Sequence, residues 1–113
     1  MMFNLFKKRP MKYSNISPEE FNELRKIKEY VVLDVRTPGE VAEEAISGHL
    51  AINLFDPAIR TKVENLDKSK HYLVYCRSGN RSANACALMA DMGFENLYNL
   101  AGGIGAWRGA RVA

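Results

Sequence analysis

Residues 72–75 read Tyr-Leu-Val-Tyr, the next seven read Cys76-Arg77-Ser78-Gly79-Asn80-Arg81-Ser82, and an alanine-rich stretch follows at once. The apolar, aromatic and β-branched run is a strand pattern. Residues 82–92, with Ala83, Ala85, Ala87 and Ala90, are a helix pattern stopped by Gly93. A chain that leaves a buried strand, crosses a short loop and enters a small-residue helix is committed to a layered α/β fold. The same segment puts a cysteine where the first N–H groups of a helix converge, and that place favours an anion. The loop arginines add full positive charge. A thiolate is the anion a cysteine offers, and it is a nucleophile. A free cysteine titrates near about 8.5, and lowering that by about two units requires roughly 2.7 kcal/mol of preferential stabilisation. Two cations and a ring of N–H donors are of that order. An inert buried thiol would not call for Arg, Ser, Gly, Asn and Arg in succession.

The rest of the chain repeats the alternation. Ser17-Pro18-Glu19-Glu20 is a helix start, with Ser17 as cap, Pro18 in the first turn and Glu20 placed to complete a capping box. Phe21, Leu24 and Ile27 then form an inward stripe. Residues 30–35 read as a buried strand that ends in Asp34 and Val35. Arg36-Thr37-Pro38-Gly39 breaks it, and Pro38 opens a short helix through residue 43 or 44. Residues 51–54 read as a short strand, and Asp56-Pro57 opens a helix to about residue 65 with Ile59 and Val63 apolar. Residues 97–100 are the last strand, Gly102-Gly103 turns the chain, and residues 104–108 begin a final helical turn. Ligands of such sheets bind beyond the carboxyl ends of the strands, where Cys76, Asp34 and Arg36 all fall.

The 113 residues suffice for one core. The net charge of +3 is unevenly placed, because Lys7, Lys8, Arg9 and Lys12 precede the first acid, Glu19. From residue 13 onward 12 basic residues face 13 acidic ones, so no nucleic-acid surface is indicated. We expect residues 1–12 to be a flexible basic tail and residues 13–113 to be the single domain. No stretch is long enough to span a membrane, and the first ten residues do not make a secretory signal. Two cysteines, one of them placed to react, point to a reducing, cytoplasmic setting rather than a disulfide scaffold.

Four segments resemble the rhodanese-like (thiosulfate sulfurtransferase) family. They are Leu33-Asp34-Val35-Arg36-Thr37-Pro38 with Glu40, Tyr75 to Ser82, the Gly93-Phe94 helix ending, and Leu100-Ala101-Gly102-Gly103 with Trp107. The resemblance runs over roughly residues 14–110. It implies an α/β fold with a mostly parallel central sheet of about five strands and helices on both faces. It implies an enzyme needing neither metal nor cofactor. Such an enzyme takes a sulfane sulfur from a donor such as thiosulfate, or from a protein persulfide, onto Cys76, and passes it to a thiol or cyanide. Carried over by position, Cys76 is the nucleophile, Arg77, Ser78, Gly79, Asn80 and Arg81 form the cradle, and Asp34, Arg36 and Glu40 support it. The sequence departs from the family pattern around Ile46-Ser47-Gly48-His49-Leu50-Ala51-Ile52-Asn53, which lacks a second glycine, and His49 is read as structural.

Other readings compete. Phosphatases and arsenate reductases also set a cysteine in an anion loop ended by arginine, but with five intervening residues. Here there are four, Arg77 to Asn80, which makes a tighter ring suited to one sulfur atom. A non-catalytic interaction module is disfavoured by the intact loop. A dedicated sulfur relay fed by a protein donor fits equally well. Asp34 and Glu40 are the expected carboxylate partners of the loop arginines, with Arg81 expected to face substrate. Asp34 and Arg36 are read as locking the loop in place. Cys86, Met89, Met92, Trp107 and the Gly-Gly turn are read as packing, and His71 as solvated.

Overall fold

The computed structural model describes residues 12–110. The basic tail expected at residues 1–12 lies almost wholly outside them. The described chain folds as β1 (Ser14–Ile16), α1 (Pro18–Leu24), β2 (Tyr30–Asp34), α2 (Pro38–Glu43), β3 (His49–Ala51), α3 (Ile59–Glu64), β4 (His71–Tyr75), α4 (Asn80–Asp91), β5 (Leu97–Leu100) and α5 (Gly103–Ala110). The five strands form one sheet in the order β1-β5-β4-β2-β3. Every neighbouring pair is parallel. A parallel ladder needs a crossover between successive strands, and the helices supply it. β4 lies at the centre, with Asp34 of β2 opposite Tyr75, so the carboxyl ends of β2 and β4 deliver Asp34 and Cys76 to one edge.

Both faces are covered. Val74, Tyr72 and Leu33 pack with Val63 of α3 and with Ala85, Cys86 and Met89 of α4. Leu73, Tyr75 and Val32 pack with Phe21 of α1 and Ile104 of α5, and Trp107 closes that side edge-on to Phe21. The alternation of β4 residues between the two cores is the period-two geometry of a strand buried on both faces. No helix among the described residues is long and apolar enough to cross a membrane.

Several expectations shift. β1 was not legible as a strand. The strand expected at residues 51–54 is β3, which starts two residues earlier and ends three earlier, and Ile52 turns inward just after it. α4 begins at Asn80, two residues before the expected start. Ile27 lies beyond the end of α1 and is 45% exposed rather than inward. Ser17 caps α1 through the amide of Glu20, but the complete capping box is at Thr37 and Glu40. His71 is not solvated: it is half-buried and stacks on Tyr30 with its ring centroid 4.5 Å away.

Candidate active site

Cys76 leaves the end of β4 and is only 1% exposed, but its sulfur is not in apolar packing. The Sγ accepts from the backbone amide of Gly79 at 3.1 Å and from that of Ser82 at 3.3 Å, with the Ser82 hydroxyl also at 3.3 Å. Gly79 is the residue before α4, at φ 104°. That left-handed conformation suits glycine, and a Cβ there would stand 3.3 Å from the Gly102 amide nitrogen. The turn at Gly79 wraps the start of the helix around the sulfur. Burial pushes the Cys76 thiol up, and this is the largest single influence. It is outweighed by the Ser82 hydroxyl and by the amides of Ser82, Gly79 and Ser78, so the thiol titrates below its ordinary value. The donors that favour the anion are therefore neutral groups close to the sulfur. Of the loop arginines expected to add charge beside it, Arg81 acts on Cys76 through space and neither is among the hydrogen-bond donors to the sulfur in the described residues.

Arg81 donates to both carboxylate oxygens of Glu40, at 2.7 and 2.8 Å. Glu40 is fixed in turn by the Thr37 amide and hydroxyl, at 3.1 and 3.0 Å. Arg81, first among several causes, pulls the Glu40 carboxyl down to about 2. A bidentate pair of this kind orients both partners. It joins the end of the loop to α2. Arg81, expected to face substrate, is here tethered to Glu40 through both terminal nitrogens. Arg77 is the exposed loop arginine, and its side chain makes no hydrogen bond or ion pair among the described residues. Its side chain lines a cavity of about 90 Å³ between α2 and α5, together with Glu40, Glu43 and Arg108.

Asp34 and Arg36 close on each other instead of on the loop arginines. Arg36 donates to Asp34 through Nε at 2.9 Å and through Nη2 at 2.7 Å, with both residues buried. Arg36 also holds the carbonyl oxygens of Glu44 at 2.6 Å and Glu40 at 3.4 Å. Its guanidinium lies 5.3 Å from the Tyr75 ring centroid. The Tyr75 hydroxyl accepts from the Ile46 amide at 3.0 Å, and burial pushes it well above the ordinary phenol range. These bonds fix α2 at the end of β2, and Glu40 with it. Asp34, Arg36 and Glu40, expected to support the loop, thus join the end of β2, α2 and Arg81 in one hydrogen-bonded chain.

The loop is also held from the C-terminal side, by residues that the sequence did not single out for it. The amides of Ile104 and Gly105 donate to the carbonyls of Cys76 and Arg77, at 2.9 and 3.3 Å. Ser82 donates its hydroxyl to Asn99 Oδ1 at 2.5 Å. Asn99 Nδ2 reaches Asn15 Oδ1 at 2.9 Å and the Gly79 carbonyl at 3.3 Å. The available signal was a polar residue inside an otherwise apolar strand. Cys86 is a free thiol like Cys76, but burial pushes it up to about 12 and keeps it protonated. His49 is half-buried, with Nδ1 3.1 Å from the Ile46 carbonyl, which agrees with a structural role.

A family model described as rhodanese-like domain matches residues 17–110. The putative sulfurtransferase YtwF of Bacillus subtilis is 43% identical over 81 residues, covering 72% of this chain and 76% of the relative. The thiosulfate sulfurtransferase GlpE of Pseudomonas putida is 35% identical over 96 residues, covering 85% and 86%. Among solved structures, a rhodanese-related protein from Thermoplasma volcanium superposes with a TM-score of 0.78 at 32% identity, covering 89% of this chain and 96% of its own. A Rhodopseudomonas palustris protein described as a possible tyrosine phosphatase superposes with a TM-score of 0.72 at 28% identity, covering 87% and 81%. Matched over nearly its whole described length, this chain belongs to the rhodanese-like domain family.

Proposed function

We propose that this chain is a sulfurtransferase that carries sulfane sulfur on Cys76, with thiosulfate as a competent donor and a thiol or cyanide as acceptor. The observation that carries the reading is the set of amides turned onto a buried sulfur at the head of α4. The Cys76 thiolate attacks the outer sulfur of thiosulfate. A sulfur–sulfur bond forms to Cys76, the original sulfur–sulfur bond breaks, and sulfite departs with the electron pair. The negative charge then sits on the outer sulfur of a persulfide, and the cradle of residues 77–81 holds it as an oxyanion hole holds oxygen. An acceptor thiolate or cyanide attacks that outer sulfur, and Cys76 leaves as the thiolate that began the cycle. The named sulfurtransferases among its relatives support the reading. So does the four-residue span between Cys76 and Arg81, which leaves less room for a tetrahedral phosphate. A protein persulfide feeding the same cysteine in a reducing cytoplasm would use identical steps.

Intact-mass analysis after thiosulfate treatment tests this directly. One added sulfur atom is expected, located on Cys76 by peptide mapping and removed by cyanide. A mass that does not change overturns the reading, and hydrolysis of an aryl phosphate with no sulfur uptake would replace it with phosphatase chemistry.

Arg77 is the residue we assign to the anionic donor, since its charge is unspent beside the loop. A charge-assisted contact with a dianion contributes about 1.5 kcal/mol or more, which is about tenfold in affinity. Arg77→Ala is expected to raise KM for thiosulfate by about that factor with a smaller effect on kcat. An unchanged KM would remove the assignment.

A further inference from the structure

Asn99 is 3% exposed on β5 and Ser82 is fully buried on α4, so every polar atom in their pair needs a partner inside the protein. The directions of their hydrogen bonds follow from chemistry alone. The Gly79 carbonyl can only accept, and it lies 3.3 Å from one end of the Asn99 amide, so that end is the nitrogen. The other end is then the oxygen, which can only accept, and it faces the Ser82 hydroxyl at 2.5 Å. Ser82 has one hydroxyl proton and must donate it there. Its lone pairs are what remain for the Cys76 sulfur, 3.3 Å away.

We propose that Asn99 is a positioning residue that competes with the Cys76 sulfur for the single hydroxyl proton of Ser82, and so limits how readily Cys76 ionises. In the thiol form every group is satisfied: the S–H proton points to Ser82 Oγ, and the Ser82 proton points to Asn99. When Cys76 ionises, its proton leaves to a solvent base and the Ser82 lone pairs face an anion. The hydroxyl either stays and tolerates that contact, or turns to the sulfur and leaves the Asn99 oxygen buried without a donor. The amides of Gly79 and Ser82 cannot turn, and they keep favouring the thiolate. The cradle thus combines fixed donors that promote ionisation with one movable donor that Asn99 holds back.

Other charges around Cys76 do not replace this control. On α4, Arg81 is held by Glu40 and acts on the sulfur only through space, without reaching the Ser82 proton, and Cys86 stays protonated. From β2, Asp34 and Arg36 are committed to each other. On β5 the titratable Tyr98 packs against Tyr30 and His71, and α5 meets the loop through backbone amides. Arg77, next in the chain, is exposed. On the proposed sulfur chemistry, one consequence follows. In a persulfide the charge moves to the outer sulfur, the inner sulfur no longer claims the hydroxyl proton, and the Ser82–Asn99 bond is restored. Asn99 then favours the loaded cysteine over the empty ionised one.

The test reads ionisation, not sulfur transfer, so its failure is separate from failure of the proposed function. The rate of Cys76 alkylation by iodoacetamide is followed against pH, with the modified residue located by mass spectrometry. Asn99→Ala frees the Ser82 hydroxyl for the sulfur and is expected to lower the midpoint by about half a unit to one unit. That is about three- to tenfold more thiolate below the midpoint. In a Ser82→Ala background the same Asn99→Ala change is expected to move nothing, since no proton is left to compete for. An unchanged or raised midpoint in the single variant, or an equal fall in both backgrounds, overturns the proposal. A second measurement uses the unmodified chain. The Asn99 side-chain amide resonances are expected to titrate with the Cys76 midpoint and to be flat in Cys76→Ala. Resonances that are flat in the unmodified chain also overturn it.

Discussion

Cys76→Ser is expected to abolish persulfide formation and to lower thiosulfate:cyanide sulfur transfer by about a thousandfold or more, with the fold intact. The two halves of this expectation have different causes. Activity is lost because a serine hydroxyl is a far weaker acid than a thiol, so no cradle of amides can hold it ionised near neutral pH, and no sulfur–sulfur bond can form to oxygen. The fold survives because the replacement is smaller by little and still accepts hydrogen bonds. The amides of Gly79 and Ser82, which now reach the sulfur at 3.1 and 3.3 Å, find an oxygen in its place. Circular dichroism should be superposable on that of the parent chain, and the assay should sit at background. Transfer that persists in the variant would remove Cys76 from the chemistry, and Cys86, deeply buried and protonated, could not easily take its place.

Gly103→Ala is expected to be the most damaging single methyl in the molecule. Gly103 has φ 62°, in the left-handed region, which costs a residue with a Cβ about 1–2 kcal/mol. The larger problem is space. A Cβ at Gly103 would lie 2.4 Å from the Arg77 carbonyl carbon and oxygen and 2.5 Å from the Cys76 carbonyl oxygen. These are backbone atoms and cannot rotate away. The start of α5 would have to back off from the loop, and with it the 2.9 Å bond from the Ile104 amide to the Cys76 carbonyl. A total loss of about 2–4 kcal/mol is expected, read as a fall in Tm of about 10 °C or more. Sulfur transfer should fall further than stability explains, because the displaced strand of loop carries the nucleophile. Gly39→Ala is a matched control, since a Cβ there meets nothing within 4 Å. Equal melting temperatures for the two variants would show that the contact with the loop is not what Gly103 provides.

The central strand, its loop and its helix were legible because three patterns coincide there: an apolar run, a polar loop of fixed length and an alanine-rich helix. β1 was not, because Ser14-Asn15-Ile16 carries a single apolar residue and becomes a strand only by pairing with β5. The helix ending in Leu24 was read one turn too far, since Ile27 continues the apolar spacing while the backbone has already stopped. The complete capping box at Thr37 and Glu40 went unnoticed behind the better-looking one at Ser17, and with it the reason Glu40 is rigid enough to hold Arg81. Which loop arginine is tethered depends on a pair 41 residues apart in the chain, and no local pattern encodes it. Cys76, Gly79, Asp34, Arg36 and Glu40 could be named from the sequence because motif spacing points to them, and the structure brings them to the carboxyl ends of β2 and β4. Asn99 was not named, because its contacts are made across the sheet, and Gly103 was read only as a turn because its closeness to the Cys76–Arg77 backbone is a tertiary contact.

The pairing of β1 with β5, sealed by the Asn15–Asn99 contact between positions 84 apart, sets a schedule. Distant partners meet late in folding. The amides that favour the Cys76 anion, those of Gly79 and Ser82, lie within six residues of the sulfur, whereas the restraint from Asn99 and the brace from Ile104 come from 23 and 28 positions further along the chain. A partly folded chain thus gathers the groups that ionise its thiol before it gains the contact that checks them.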